Sequence, residues 1–251
     1  MPQADGQPPT EHIRRIPVAF ATSDPEESFG ITRLRYESKL SVPAALLPDI
    51  LRIVAAHLPL VRSGAGAPAI ATFYFDDPLG SHLRTAVAEV VSFRLRLREY
   101  PTGADRHEHW LEVKRNAGPA SDKRRRRLAP EEVGLVLRDP VEAARRFVAI
   151  APELGGGPLR PTLASRYHRE TFAKEGCRIT VDRSVSFFRP PAETEIPLAA
   201  RLRTAVRVES EATLEIKRTG AEQEWMRALR SELTAQPESK FVRGSRALES
   251  A

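Results

Sequence analysis

Residues 93–98 read Phe93-Arg94-Leu95-Arg96-Leu97-Arg98, and residues 111–114 read Leu111-Glu112-Val113-Lys114. Such strict alternation has the period of a strand, whose successive side chains point to opposite faces. Three further stretches repeat it. Arg35, Glu37 and Lys39 alternate with Tyr36 and Leu40; Arg178, Thr180 and Asp182 with Ile179 and Val181; Glu215 and Lys217 with Leu214 and Ile216. Period-two segments over 31–40, 72–76, 93–100, 108–114, 123–128, 163–172, 178–187 and 205–217 predict about eight strands. Turn-rich stretches such as Pro101-Thr102-Gly103 and Gly155-Gly156-Gly157-Pro158 join them. The fold class is therefore α+β, built on an antiparallel sheet or barrel.

Three zones carry helical spacing. Over 44–58, Leu47, Ile50, Leu51, Val54 and Leu58 recur at three and four residues, with Pro43 near the first turn. A second zone, 130–150, is broken at Asp139-Pro140, and a third, 222–233, sets Trp225, Met226, Leu229 and Leu233 on one face. Residues 1–10, rich in Pro, Gly and Gln, read as disordered, and 11–251 as a single domain, since no repeat or composition break divides them.

The 251 residues are 41% hydrophobic and 29% charged, which excludes a disordered chain, a collagen and a coiled coil. Thirty-nine Lys and Arg against 33 Asp and Glu give a net charge of +6, so an anionic partner is expected: nucleic acid, acidic lipid or polyphosphate. Cys177 is the sole cysteine and forms no internal disulfide. The first twenty residues lack an uninterrupted apolar stretch, and no charge-free run approaches the roughly 20 residues of a bilayer span. A soluble, cytoplasmic protein is the expectation.

Charged stripes on strands ordinarily face water. Here the helices have apolar faces to bury, and an apolar outer sheet surface would receive them. Closing the sheet then turns the charges inward, giving a barrel lined by Arg35, Lys39, Arg94, Arg96, Arg98, Lys114, Arg178 and Lys217, which outnumber Glu37, Glu112, Asp182 and Glu215. Like charges a few ångströms apart repel by roughly 4 kcal/mol at an effective dielectric of 20, so such a bore implies a bound polyanion. Phosphate suits the planar fork of Arg, and the carboxylates suit a divalent cation shared with phosphate.

Lys123-Arg124-Arg125-Arg126-Arg127 invites a nucleic-acid reading, but as a strand it sends Lys123, Arg125 and Arg127 one way and Arg124 and Arg126 the other. The strand reading is preferred and no nucleic-acid partner is expected, aromatic residues being only 6% of the chain. His57, His82, His107, His109 and His168 lack zinc spacing, apart from the ambiguous pair His107 and His109, and are assigned no metal.

Eight motifs occur in order: Arg35-Tyr36-Glu37-Ser38-Lys39, Tyr74-Phe75-Asp76, Arg96-Leu97-Arg98-Glu99-Tyr100, Leu111-Glu112-Val113-Lys114, Arg166-Tyr167-His168-Arg169, Arg178-Ile179-Thr180-Val181-Asp182, Leu214-Glu215-Ile216-Lys217 and Ser239-Lys240-Phe241. Together they resemble the VTC domain, the polyphosphate polymerase module of the triphosphate tunnel metalloenzymes, over about residues 31–246. The resemblance implies an eight-stranded closed tunnel in which a polyphosphate chain grows from ATP with Mn2+ or Mg2+ present. It implies phosphate contacts from Lys39, Arg96, Arg98, Lys114, Lys123, Arg169, Arg178 and Lys240, hydroxyl donors Tyr167 and Ser239, and Glu215 as the metal ligand. Arg35 stands where the relatives that hydrolyse triphosphates or cyclise ATP open with Glu, which favours the VTC branch. Asn116 and Pro237 depart from the family's His and Lys. The membrane helices of the eukaryotic relatives have no counterpart, which leaves room for a membrane-protein partner that collects product. A non-catalytic polyanion binder and an inorganic triphosphatase are the alternative functions.

Overall fold

The computed structural model describes residues 12–14, 35–62, 69–88, 91–103, 106–117, 120–192 and 197–251, with the backbone alone described at 12–14, 35, 62, 117, 120 and 121. The expected lead-in 1–10 and the start of the first expected strand, 31–34, lie outside these residues. The strands are β1 His12–Arg14, β2 Arg35–Val42, β3 Leu60–Arg62, β4 Ile70–Asp76, β5 Ser92–Pro101, β6 His107–Ala117, β7 Ala120–Leu128, β8 Arg160–Lys174, β9 Cys177–Phe188, β10 Arg207–Val208, β11 Ala212–Thr219 and β12 Thr234–Ala235. The helices are α1 Leu47–His57, α2 Ser81–Val87, α3 Pro130–Arg138, α4 Pro140–Ile150, α5 Leu198–Arg201, α6 Glu224–Ser231 and α7 Lys240–Glu249, with a 3-10 turn at Pro152–Leu154.

The strands form one sheet in the order β1-β2-β11-β9-β8-β4-β5-β6-β7, every pair antiparallel, with β3, β10 and β12 joined to its edges and ends. Each expected strand is present. The last is divided, because Glu209, Ser210 and Glu211 interrupt pairing between β10, which pairs with β9, and β11, which runs between β9 and β2. The expected helical break at Asp139-Pro140 is a cap. The Asp139 carboxylate accepts the amides of Val141 (2.9 Å) and Glu142 (3.1 Å), and Pro140 opens α4 where no donor is needed. Pro48, rather than Pro43, occupies the first turn of α1.

Two apolar clusters lie on one face of the sheet. Leu95, Leu97, Leu111, Val113, Phe73 and Phe75 pack with Val133, Val136, Ala143 and Phe147 of α3 and α4, and Leu40, Ile179, Val181, Leu214 and Ile216 pack with Ile50 and Val54 of α1 and Met226 and Leu229 of α6. These are the apolar halves of the alternating strands, as binary patterning requires.

The opposite face carries its own helix. In α7, Phe241, Val242 and Ala247 pack onto Ile70, Tyr74, Leu163, Tyr167, Val185 and Phe187, with the Phe241 and Tyr74 rings stacked at 5.2 Å. Contact is closest at Gly244, where a Cβ would stand 2.6 Å from Phe187 Cδ1 and 2.7 and 2.9 Å from the Leu163 methyls, both residues fully buried. Alanine in mid-helix gains about 0.5–1 kcal/mol over glycine, but overpacking a filled core costs about 1–3 kcal/mol. Gly244→Ala is therefore expected to lower the urea midpoint; an unchanged or raised midpoint contradicts this seating of α7.

Candidate functional site

Register carries the charged stripes onto a single face that crosses eight strands. From β2 to β7 it runs through Lys39 beside Glu215, Glu215 beside Thr180, Asp182 beside Arg169, Thr72 beside Arg98, Arg96 beside Glu112 and Lys114 beside Lys123. It is the face that α7 covers at Tyr74 and Leu163. A β-bulge keeps the stripe continuous where β8 meets β9: pairing shifts between Arg166 and His168, and Ser184 takes φ +54°. Tyr167 and Val185 consequently both face α7.

Three carboxylates organise the cations. Glu112, 0% exposed, accepts Arg96 Nε at 2.6 Å, pairs with Lys123 Nζ at 2.7 Å and lies 3.6 Å from Arg98 Nη1. Burial alone would raise its pKa, but Arg96, Arg98 and Lys123 outweigh burial and hold it well below the usual carboxylate range. Arg98, itself buried, donates from Nε to Thr72 Oγ1 (3.2 Å) and from Nη1 to Tyr100 OH (2.9 Å).

Asp182, 3% exposed, accepts Arg169 through both oxygens at 2.5 and 2.6 Å and Lys240 Nζ at 2.6 Å. Burial again opposes its charge and the two cations again prevail, leaving the pKa far below normal. Arg169 and Lys240 also lie over the Tyr167 ring, 5.3 and 4.8 Å from its centre. Glu215 lies 3.3 Å from Lys217 Nζ and 4.0 Å from Lys39 Nζ, and the same Lys39 is 3.4 Å from Glu37. Although burial works against ionisation, Lys217 and Lys39 hold the Glu215 pKa well below the usual carboxylate range.

Other expected residues sit around these groups. Arg94, Lys114 and Lys123 stand side by side on β5, β6 and β7, the first two half-buried and Lys123 exposed. Arg178 is exposed near the β8–β9 turn, beside Lys217. Arg35 begins β2, but its side chain lies outside the described residues. Ser239 Oγ accepts the Val242 amide (3.3 Å) as the N-cap of α7, which puts Lys240 in the first turn, aimed at Asp182. Tyr167, 1% exposed, has no hydrogen-bond partner for its hydroxyl among the described residues, and neither does buried Thr180 Oγ1. Buried polar atoms are ordinarily satisfied, so both hydroxyls are left to an oxygen from outside the described residues, of water or of a ligand.

The basic run divides as its alternation predicts. Arg124 and Arg126 reach Glu153 and Glu132 near the outer helices, while Arg125 stacks 4.4 Å over Trp110 on the charged face. His107 and His109 both approach the fully buried Glu99, at 3.9 and 3.0 Å, and its carboxylate also accepts the Leu198 and Ala199 amides that open α5.

Two carboxylate positions can be compared as cation sites. Asp76, Asp77 and His82 gather ligand atoms within 4.8 Å, but Asp76 already accepts the amides of Asp77, His82 and Leu83, and Asp77 those of Leu79 and Ser81. That cluster caps α2. Glu215, which shares Lys39 with Glu37, offers hard oxygens in ionised form on the charged face, and these suit Mn2+ or Mg2+. Glu112 does not, because both its oxygens are held by cations.

Comparison with known proteins is consistent with the ordered motifs. No curated protein sequence matches the chain. Its structure is similar to a proposed adenylate cyclase of Bacillus halodurans (15% identity, 82% of this chain and 95% of that one, TM-score 0.49). It is also similar to one of Vibrio parahaemolyticus (12%, 85% and 97%, 0.46) and to a conserved hypothetical protein of Pyrococcus furiosus (14%, 82% and 98%, 0.45). The VTC domain profile matches residues 34–249, from the first charged stripe through α7. On the strength of that match the chain belongs to the VTC domain family.

Proposed function

We propose that this VTC domain is a metal-dependent polyphosphate polymerase whose sheet curls so that the charged face lines a closed bore. One observation carries the reading: Arg98, Glu112 and Asp182 are buried on a face where Lys39, Arg94, Arg96, Lys114, Arg169, Lys217 and Lys240 also gather. The cations exceed the carboxylates, and an enclosed surplus of that kind is stable only with a polyanion to compensate it.

Phosphoryl transfer asks the protein for alignment and charge neutralisation rather than covalent chemistry. The terminal phosphate oxygen of a primer attacks the γ-phosphorus of ATP; a P–O bond forms to the chain, the bond to the β-phosphate oxygen breaks, and ADP leaves with that electron pair. Arg96, Arg98, Arg169 and Lys240 hold the phosphate oxygens, Tyr167 and Ser239 add hydroxyl donors, and Arg178 and Lys123 meet the chain at the exposed margins. Glu215 is the residue that would hold a divalent cation, and such an ion, when bound, would supply charge withdrawal from the phosphate oxygens and ease repulsion between the reacting groups.

Incubation with ATP and Mn2+ tests the reading. Polymer and ADP in matched amounts are expected. Release of orthophosphate alone would make the protein a triphosphatase, and binding without turnover would make it a polyanion-binding module. Among the described residues no helix is long and apolar enough to cross a membrane.

A further inference from the structure

Glu112 has no role in the mechanism above, yet it is the most enclosed carboxylate of the charged face and joins three strands. It takes Arg96 through Nε on β5 and Lys123 through Nζ on β7, one oxygen for each. The terminal nitrogens of Arg96, Nη1 and Nη2, have no hydrogen-bond partner among the described residues, and the side chain is 14% exposed. A guanidinium held at Nε presents its end-on Nη1–Nη2 edge, the edge that matches two phosphate oxygens. Arg169 contrasts with it, because its Nε and Nη2 edge is already occupied by Asp182.

We propose that Glu112 is a positioning residue for phosphate recognition: it fixes the Arg96 guanidinium with its terminal edge turned to the phosphate chain and holds Lys123 beside it. The inference rests on the proposed polyphosphate site. Glu112 stays ionised because three cations surround it. It also repels phosphate, so its net effect on affinity mixes an orienting gain with a Coulombic loss. Only its coupling to Arg96 isolates the orienting part.

The test is a double-mutant cycle on the full chain, Arg96→Gln with Glu112→Gln, read as the Kd of inorganic tripolyphosphate by calorimetry. In wild type, Arg96→Gln is expected to weaken binding about tenfold or more, the scale of a charge-assisted hydrogen-bond pair. In the Glu112→Gln background the same change is expected to cost less than about threefold, because the fork is no longer aimed. Equal losses in both backgrounds would overturn the proposal and make Glu112 a structural or merely repulsive charge. Should Glu112→Gln not fold, Glu112→Asp takes its place, keeping the charge and withdrawing the carboxylate by one methylene, and the same coupling is required. If wild type fails to bind tripolyphosphate at all, the polyphosphate reading falls, an outcome distinct from equal losses.

Discussion

Glu215→Gln is expected to lower polymer synthesis by about 10²-fold or more while leaving tripolyphosphate affinity within about tenfold of wild type. The asymmetry follows from what surrounds the carboxylate. Lys217 and Lys39 flank it at 3.3 and 4.0 Å, and removing the negative charge frees both to attract phosphate. Binding thus keeps its cations, while turnover loses the ionised oxygen proposed to hold the divalent ion. Parallel ADP-release assays and calorimetry separate the two effects. A variant that polymerises at the wild-type rate would remove Glu215 from the mechanism, and one that loses affinity and turnover in equal measure would make it a structural group.

Asp182→Ala is expected to destabilise the protein by about 3–5 kcal/mol, the range for breaking a buried ion pair from one side. Arg169 and Lys240 would remain half-buried against Tyr167 without a counter-charge, and α7 would lose the bond that ties its first turn to the sheet. Its second tie, the bidentate Arg243 to Glu209 contact at 2.8 and 2.9 Å, would remain. At about 2–4 °C per kcal/mol for a chain of this size, the melting temperature should fall by roughly 10 °C. Tripolyphosphate should restore part of the loss, because it supplies the missing anion and binds only the folded state.

The same pairs set the response to acid. Asp182 and Glu112 have folded pKa values depressed below their unfolded ones. Their stabilisation is complete above the unfolded carboxylate range near about 4 and is withdrawn as pH falls through that range towards the folded values. Melting curves from pH 6 downward should therefore drop more steeply in wild type than in Asp182→Ala. A melting temperature for Asp182→Ala within about 1 °C of wild type would contradict the role given to this carboxylate.

The alternation of Phe93 to Arg98 and of Leu111 to Lys114 was enough to assign strands and to say which side chains share a face, because the period is a property of local sequence. The break in the helical zone at Asp139-Pro140 was legible too, because a proline punctuates a helix locally; that Asp139 caps the second helix was not. What joins Glu112 to Lys123, or Asp182 to Lys240, is pairing register and the docking of a distant helix, and neither leaves a local trace. Helix α7 was hidden by composition: Lys240, Arg243, Gly244, Ser245 and Arg246 dilute its apolar positions, and Gly244 reads as a helix breaker until its contact with Leu163 and Phe187 is seen. The bulge at Tyr167 was equally silent, since Ser184 is not a residue type that announces a left-handed backbone. Glu112 and Asp182 were visible as leftover carboxylates of a basic bore; their use as anchors for particular arginines was not.

A crystal structure of the protein grown with inorganic tripolyphosphate and Mn2+ is the most direct measurement. The expected result places the phosphates within hydrogen-bonding distance of Arg96, Arg98, Arg169 and Lys240, encircled by the eight strands from β2 to β7, with the metal on Glu215. Phosphates bound elsewhere, with Arg96, Arg98, Lys114 and Glu215 opening onto bulk solvent and no enclosed bore between them, would contradict it.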